Sequence, residues 1–205
     1  MQNCERSVRV EAVNFESFQY DRGSFSSKTE YDVDISACAR VTSVSLGKAV
    51  LDDQWLEGLF VTHPRLQNLR LDNCTGLTNI NIRSQHLKAL DLCFYGFRSE
   101  VKATNIDTPN LTSFSFRFEG INKPKFSINA PNLLEPTIKL VLKEFCSIEC
   151  YVNLIDFLRN FDRFKGLRLI ANAKVCTNSY YLVLMSFSVG QSFVHYALFL
   201  QVLGS

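Results

Sequence analysis

Leu66-Gln-Asn-Leu69-Arg-Leu71-Asp-Asn-Cys74-Thr-Gly-Leu77 sets a spacing that returns along the chain in altered form. Upstream lies Val41-x-x-Val44-x-Leu46, and downstream follow Leu87-x-x-Leu90-x-Leu92, Leu111-x-x-Phe114-x-Phe116 and Leu133-x-x-Pro136-x-Ile138. The copies start at positions 41, 66, 87, 111 and 133, so the spacing is similar but not constant. In each copy the last two apolar positions are two residues apart, which puts them on one face of a strand. One such unit cannot bury its apolar face alone, so successive units must stack into a solenoid.

A period of about 20–29 residues with this pattern is that of a leucine-rich repeat. The expected fold class is therefore α/β: an irregular leucine-rich-repeat solenoid with a parallel concave sheet and short helices on its convex side. Two helices are predicted. Asp52 or Asp53 can cap one near 52–60, with Trp55, Leu56, Leu59 and Phe60 on one stripe and Pro64 ending it. The second spans 151–161, with Tyr151, Leu154, Ile155, Leu158 and Phe161 inward. Val8–Tyr20, Tyr31–Ile35 and Gly166–Ile170 read as strands, with Val10-x-x-Val13-x-Phe15 as the strand of an earlier repeat. Pro64, Pro109 and Pro131 precede strands, where a missing N–H costs nothing. Pro136 replaces a core Leu, so the strand at 133–140 is expected to be the worst formed.

Side chains alternate along a strand, so the residues between core positions should line the concave sheet. These are Ser45, Arg70, Asp72, Asp91, Ser115, Arg117, Thr137 and Lys139. Their mixed charge suits a polar surface of a partner protein, whose identity the sequence does not give. A net charge of +2, with no dense Lys/Arg cluster, argues against nucleic acid.

Seven cysteines with no apolar signal segment after Met1 predict free thiols in a cytoplasmic or nuclear setting. Without secretion, the glycosylation sequons at Asn73 and Asn110 carry no weight. Cys146-x-x-x-Cys150 lacks the second doublet of a zinc site, so no metal and no cofactor are expected. The three histidines, His63, His86 and His195, form no set with a nucleophile. His63 and His86 read as surface turn residues, and no enzymatic activity is expected.

The domain reading is 1–174 for the repeats and 175–205 for a tail foreign to them. Val175–Ser205 has no Asp, Glu, Lys or Arg, and most of Tyr180–Leu203 is apolar. Strands continuing the solenoid or a membrane anchor are the other readings of this tail. Ser186, Ser188, Gln191, Ser192, His195 and Gln201 argue against a membrane span.

His63-Pro-Arg-Leu-Gln-Asn-Leu-Arg-Leu-Asp-Asn-Cys74, Ser84-Gln-His-Leu-Lys-Ala-Leu-Asp-Leu92, Thr108-Pro-Asn-Leu-Thr-Ser-Phe114 and Asn129-Ala-Pro-Asn-Leu133 together resemble the repeat region of plant F-box/leucine-rich-repeat proteins. Leu154-Ile-Asp-Phe-Leu-Arg-Asn-Phe161 and Gly166-Leu-Arg-Leu169 extend the likeness, which covers about Val8 to Ile170. In that family an F-box docks on a Skp1-type adaptor of a ubiquitin ligase while the repeats hold the substrate. No Leu-Pro-led F-box module precedes the repeats here, so no adaptor contact is expected. The resemblance thus implies a substrate-recognition module; the alternative is a truncated or splice-variant product with no independent function.

Overall fold

Chain segments one coil apart pair side by side, and the pairing is parallel throughout the solenoid. The computed structural model describes residues 8–12, 14–22, 33–94, 100–119, 124–142, 156–173, 184–189 and 192–197. In chain order the elements begin with β1 (Val8–Arg9), β2 (Ser17–Asp21), β3 (Val33–Asp34), β4 (Ser43–Gly47) and the helix α1 (Asp53–Thr62). Next come β5 (Asn68–Asp72), β6 (Asn79–Arg83), β7 (Ala89–Phe94), β8 (Ala103–Asp107) and β9 (Ser113–Glu119). The last are β10 (Lys125–Asn129), β11 (Thr137–Leu142), β12 (Arg168–Ala173), β13 (Leu184–Val189) and β14 (Ser192–Ala197).

Seven strands form one parallel sheet in the order β12-β11-β9-β7-β5-β4-β2. The intervening elements form a second layer. There β1 pairs with β3, and β6, β8 and β10 make a three-stranded parallel sheet. Each coil of the solenoid therefore contributes one strand to the long sheet and one element to the second layer, with the core between them.

Register shows why the recurring spacing produces this. Val44, Leu69, Leu90 and Phe114 are paired in one row, and Leu46, Leu71, Leu92, Phe116 and Ile138 in the next. All are buried. Val41, Leu66, Leu87, Leu111 and Leu133, which open the copies, are buried too. Four of these five close a tight turn with an N–H to the carbonyl three residues back: Val41 to Cys38, Leu66 to His63, Leu111 to Thr108 and Leu133 to Ala130. Pro64, Pro109 and Pro131 occupy the second position of such turns, where their fixed φ is suited.

The second layer departs from the expectation of short helices alone. The strands β6, β8 and β10 alternate inward and outward, with Ile80, Ile82, Thr104, Ile106, Phe126 and Ile128 buried. That two-residue period in Asn79-Ile-Asn-Ile-Arg83 and Lys125-Phe-Ser-Ile-Asn129 is a strand signal. One helix occupies a coil of its own beside β6. The Asp52 side chain caps α1 by accepting the Trp55 N–H at 2.6 Å. The Asp53 carboxylate accepts from Thr78 N, Thr78 Oγ1, Asn79 N and Asn79 Nδ2 at 2.7–3.2 Å, tying the helix start to the start of β6. Of the helix expected at 151–161, the described residues show a helical stretch at 156–159; 151–155 lie outside them.

Three further expectations are corrected. The first repeat strand is β2, in which Phe18 pairs with Val44, and not Val10–Phe15. The coil ending at Val44 begins at Phe18, a shorter span than the one from Val10 to Val41, and Phe15 is left 53% exposed. Pro136 does not spoil its strand. The ladder starts directly after it, at Thr137, two residues later than the β7–β9 ladder but in register with β9 and β12, and the Pro136 carbonyl accepts from Arg168 N at 2.9 Å. His63 is not a surface residue but 2% exposed at the C-cap of α1. Its Nε2 lies 3.1 Å from the Ile35 carbonyl and its Nδ1 2.8 Å from Thr62 Oγ1. The half-buried Trp55 makes the parallel contact, donating from Nε1 to the Val33 carbonyl at 2.6 Å. Two helix side chains thus satisfy the edge of β3 that a strand would otherwise have covered.

Toward the C-terminal coils the core turns aromatic. Phe116 sits 5.3–6.5 Å, ring centre to ring centre, from Phe94, Phe114, Phe118, Phe126 and Phe157. Phe161 adds contacts to Phe114, Phe126, Phe157 and Phe164. Phe157, Phe161 and Phe164 come from the longest coil, which runs from Ile138 to its ladder partner Leu169.

The tail's described strands, β13 and β14, pair with each other in antiparallel fashion and belong to none of the solenoid's three sheets. Among the described residues no helix is long and apolar enough to cross a membrane. Cys146 and Cys150 lie outside the described residues.

Phe116→Ala should cost about 3–5 kcal/mol in urea unfolding, whereas Phe15→Ala should cost under about 0.5 kcal/mol because its ring is largely solvated. Equal losses would put the aromatic hub in the wrong place. Burial alone would raise the Asp53 carboxyl, but the donors from Thr78 and Asn79 outweigh it and hold it below its ordinary value. The unfolded chain then takes up the proton more readily. The stabilisation is present above the ordinary carboxylate range and is lost as pH falls through the lower folded-state value. Unfolding of Asp53→Asn should accordingly depend less on pH below about 4 than that of the parent chain.

Candidate functional site: the outer face of the seven-stranded sheet

Alternation along each strand of the long sheet sends every second side chain away from the core, and parallel register lines these residues up across the strands. One row runs Gln19, Ser45, Arg70, Asp91, Ser115, Thr137, Arg168. The next runs Asp21, Gly47, Asp72, Cys93, Arg117, Lys139, Ile170. All eight residues predicted from the sequence fall in these two rows, Ser45, Arg70, Asp91, Ser115 and Thr137 in the first and Asp72, Arg117 and Lys139 in the second. Leu69, Leu71, Leu90 and Leu92 between them are at most 2% exposed, which fixes the register.

The structure brings three of the eight into direct contact. Arg70 donates from one guanidinium nitrogen to Asp72 Oδ2 at 2.8 Å and from the other to Asp91 Oδ2 at 3.0 Å. The hydrogen bond to Asp72 raises the Arg70 pKa above its ordinary value; partial burial opposes this and the charges of Asp91 and Asp72 reinforce it. One fork thus bridges two strands, β5 and β7. Ser115, Thr137 and Lys139 share the rows without joining the cluster, and the Ser115 hydroxyl oxygen is buried with no hydrogen-bond partner.

Sequence reasoning missed the β2 and β12 ends of both rows. At the β2 end, Asp21 lies against Gly47: a Cβ on that glycine would come within 2.9 Å of the Asp21 carboxylate. Lys48, with φ of 55°, turns the chain out of β4 and sets its Nζ 3.4 Å from Asp21 Oδ1. Asn73 repeats that left-handed exit after β5. The signal for Asp21 was present, because Phe18 and Tyr20 alternate with Gln19 and Asp21. It was obscured by assigning the earlier repeat to Val10–Phe15. Cys93, in the second row, is buried at 2% exposure, so it contributes packing and not surface.

Chemically, this face offers carboxylates, cations and hydroxyls in fixed rows. Among the described residues no group of three or more His, Cys, Asp or Glu side chains is arranged to hold a metal ion. Cys74 packs inward with Sγ 3.6 Å from the Leu46 carbonyl, and burial pushes its pKa up to about 12. A thiol so held is no nucleophile at neutral pH. Compared with protein-family models, with curated proteins and with solved structures, the chain gives no match.

The Arg70 side chain is half exposed and its two acids about one-third exposed, so the cluster is screened by solvent. Arg70→Ala should therefore cost no more than about 1 kcal/mol in urea unfolding. A loss above about 2 kcal/mol would mean that the cluster holds the sheet together.

Proposed function

We propose that this chain is a protein-recognition module and that the outer face of its seven-stranded sheet is the binding surface. One observation carries the reading: unbroken parallel register arrays one row of polar side chains across seven strands, with Asp72, Arg117 and Lys139 in the row beside it. A sheet of this kind offers many fixed contact points at little cost in side-chain ordering, since the strands beneath are held by their own ladder. In this reading the coils are leucine-rich repeats, the long sheet is their concave side, and Arg70, Asp72, Asp91, Arg117 and Lys139 supply charge complementarity to a partner protein. The likeness of His63–Cys74 and the Pro-Asn-Leu segments to F-box/leucine-rich-repeat proteins supports a substrate-recognition role over catalysis. Cys74, buried and protonated, and His63, engaged on both ring nitrogens, leave neither as a free nucleophile or base, which agrees with a binding role.

Affinity capture with the full chain tests this when run beside two folded variants. Arg70→Glu with Asp91→Lys alters the sheet face, and Asn81→Lys with Asn105→Lys alters the outward positions of the three-stranded sheet. A partner retained by the parent and by the second variant, but lost from the first, is the expected result. Loss from the second alone would move the binding surface to the other layer. Loss from neither would remove both faces from consideration.

A further inference from the structure

The charges on the long sheet divide between its two halves. From β2 to β7 they are paired: Asp21 with Lys48, and Arg70 with both Asp72 and Asp91. From β9 to β12 the two rows present Arg117, Lys139 and Arg168, one cation on each of three adjacent strands. Lys139 stands directly opposite Arg117, and Arg168 opposite Thr137. Like charges directly opposite one another in a sheet are destabilising, so this arrangement favours a negative charge laid over it. Arg117 has an interaction of its own, whereas among the described residues Lys139 and Arg168 make no ion pair. The acids of this half stand outside the two rows: Glu135 lies alongside Gly166, before β11 and β12, and Glu119 is paired in register with Val141, one row further on.

We infer that the β9–β11–β12 half of the sheet binds an acidic, extended segment of a partner protein, with its carboxylates over Lys139 and Arg168. This rests on the recognition reading above and narrows it to one chemistry. Neighbouring strands are about 4.8 Å apart, so the three cations span roughly 10 Å across the sheet. Alternate residues of an extended peptide are about 6.8 Å apart, so three acids on one side of it cover that width. Ser115 and Thr137, which share strands with Arg117 and Lys139, carry short side chains, which leaves the segment room to lie close. The paired Arg70 cluster marks the other limit, because Asp72 and Asp91 would repel a continuing run of acids.

Fluorescence anisotropy with a labelled Glu-rich peptide and its Gln counterpart tests this on the full chain. The Glu peptide should bind, the Gln peptide should not, and raising salt from ~50 to ~500 mM should weaken binding steeply. Lys139→Gln with Arg168→Gln should weaken it roughly tenfold or more, with the urea midpoint unchanged or higher. Lys125→Gln, an exposed cation of the three-stranded sheet, should leave it unchanged. Equal loss from Lys125→Gln, or equally tight binding of a single-stranded oligonucleotide of the same charge, would overturn the inference in favour of undirected attraction. No binding of the Glu peptide would also overturn it. If the Arg70/Asp91 variant still lost its captured partner in that case, the recognition reading would stand without this chemistry. If that variant also kept its partners, both would fall together.

Discussion

Everything in this molecule depends on parallel pairing between chain segments one coil apart, with like positions matched in rows. A parallel ladder joins residues that are far apart in sequence, so it gains nothing until the intervening coil is also packed. The buried rows Val44-Leu69-Leu90-Phe114 and Leu46-Leu71-Leu92-Phe116-Ile138 supply that packing. They also set the register, because a slip by one residue would send Arg70 or Asp91 into the core. The coils are unequal, the shortest running from Leu69 to Leu90 and the longest from Ile138 to Leu169, yet the rows stay continuous. Length differences are absorbed in the second layer and in the connections.

That absorption has a clear physical form at α1. A helix has no free backbone edge to offer a strand, so both of its strand neighbours must be satisfied by side chains. On one side Trp55 and His63 donate to the carbonyls of Val33 and Ile35, at the edge of β3. On the other, Asp53 receives the backbone N–H groups of Thr78 and Asn79 where β6 begins. Gly76, with φ of 89°, lets the chain pass so close to the Leu51 carbonyl that a Cβ would lie 2.4 Å from it. The second layer can therefore change from paired strands to helix to three-stranded sheet while the long sheet continues undisturbed.

Much of this was legible in the sequence, and the limits have physical causes. The rows were readable because inward positions tolerate only apolar residues, and two such positions per coil recur through five copies. The eight outward residues followed from alternation alone. The strands β6, β8 and β10 were passed over because they carry just two inward residues each and one of the six is Thr104, whose hydroxyl is buried with no hydrogen-bond partner. His63 was misplaced because a histidine before a proline reads as a turn residue, and nothing local shows that Ile35 lies within reach of its ring. The contact of Arg70 with Asp72 and Asp91 needed only register, but the pairing of Asp21 with Lys48 across β2 and β4 needed the length of the first coil, from Phe18 to Val44. No pattern in one strand contains that length.

The separation between what holds the fold and what faces outward has a consequence for how such a surface can change. The inward rows are close-packed, and the aromatic hub around Phe116 leaves little freedom for substitution there. The outward rows sit on backbone already fixed by two neighbouring strands, so exchanging one polar residue for another alters charge without moving the scaffold. Arg70 illustrates the point: its bonds to Asp72 and Asp91 are short, but solvent screening makes them weak supports for the sheet. They act instead to hold two carboxylates and a guanidinium in one orientation on neighbouring strands. Fixed orientation on a rigid support is what recognition of another surface requires, because less freedom is then lost on contact.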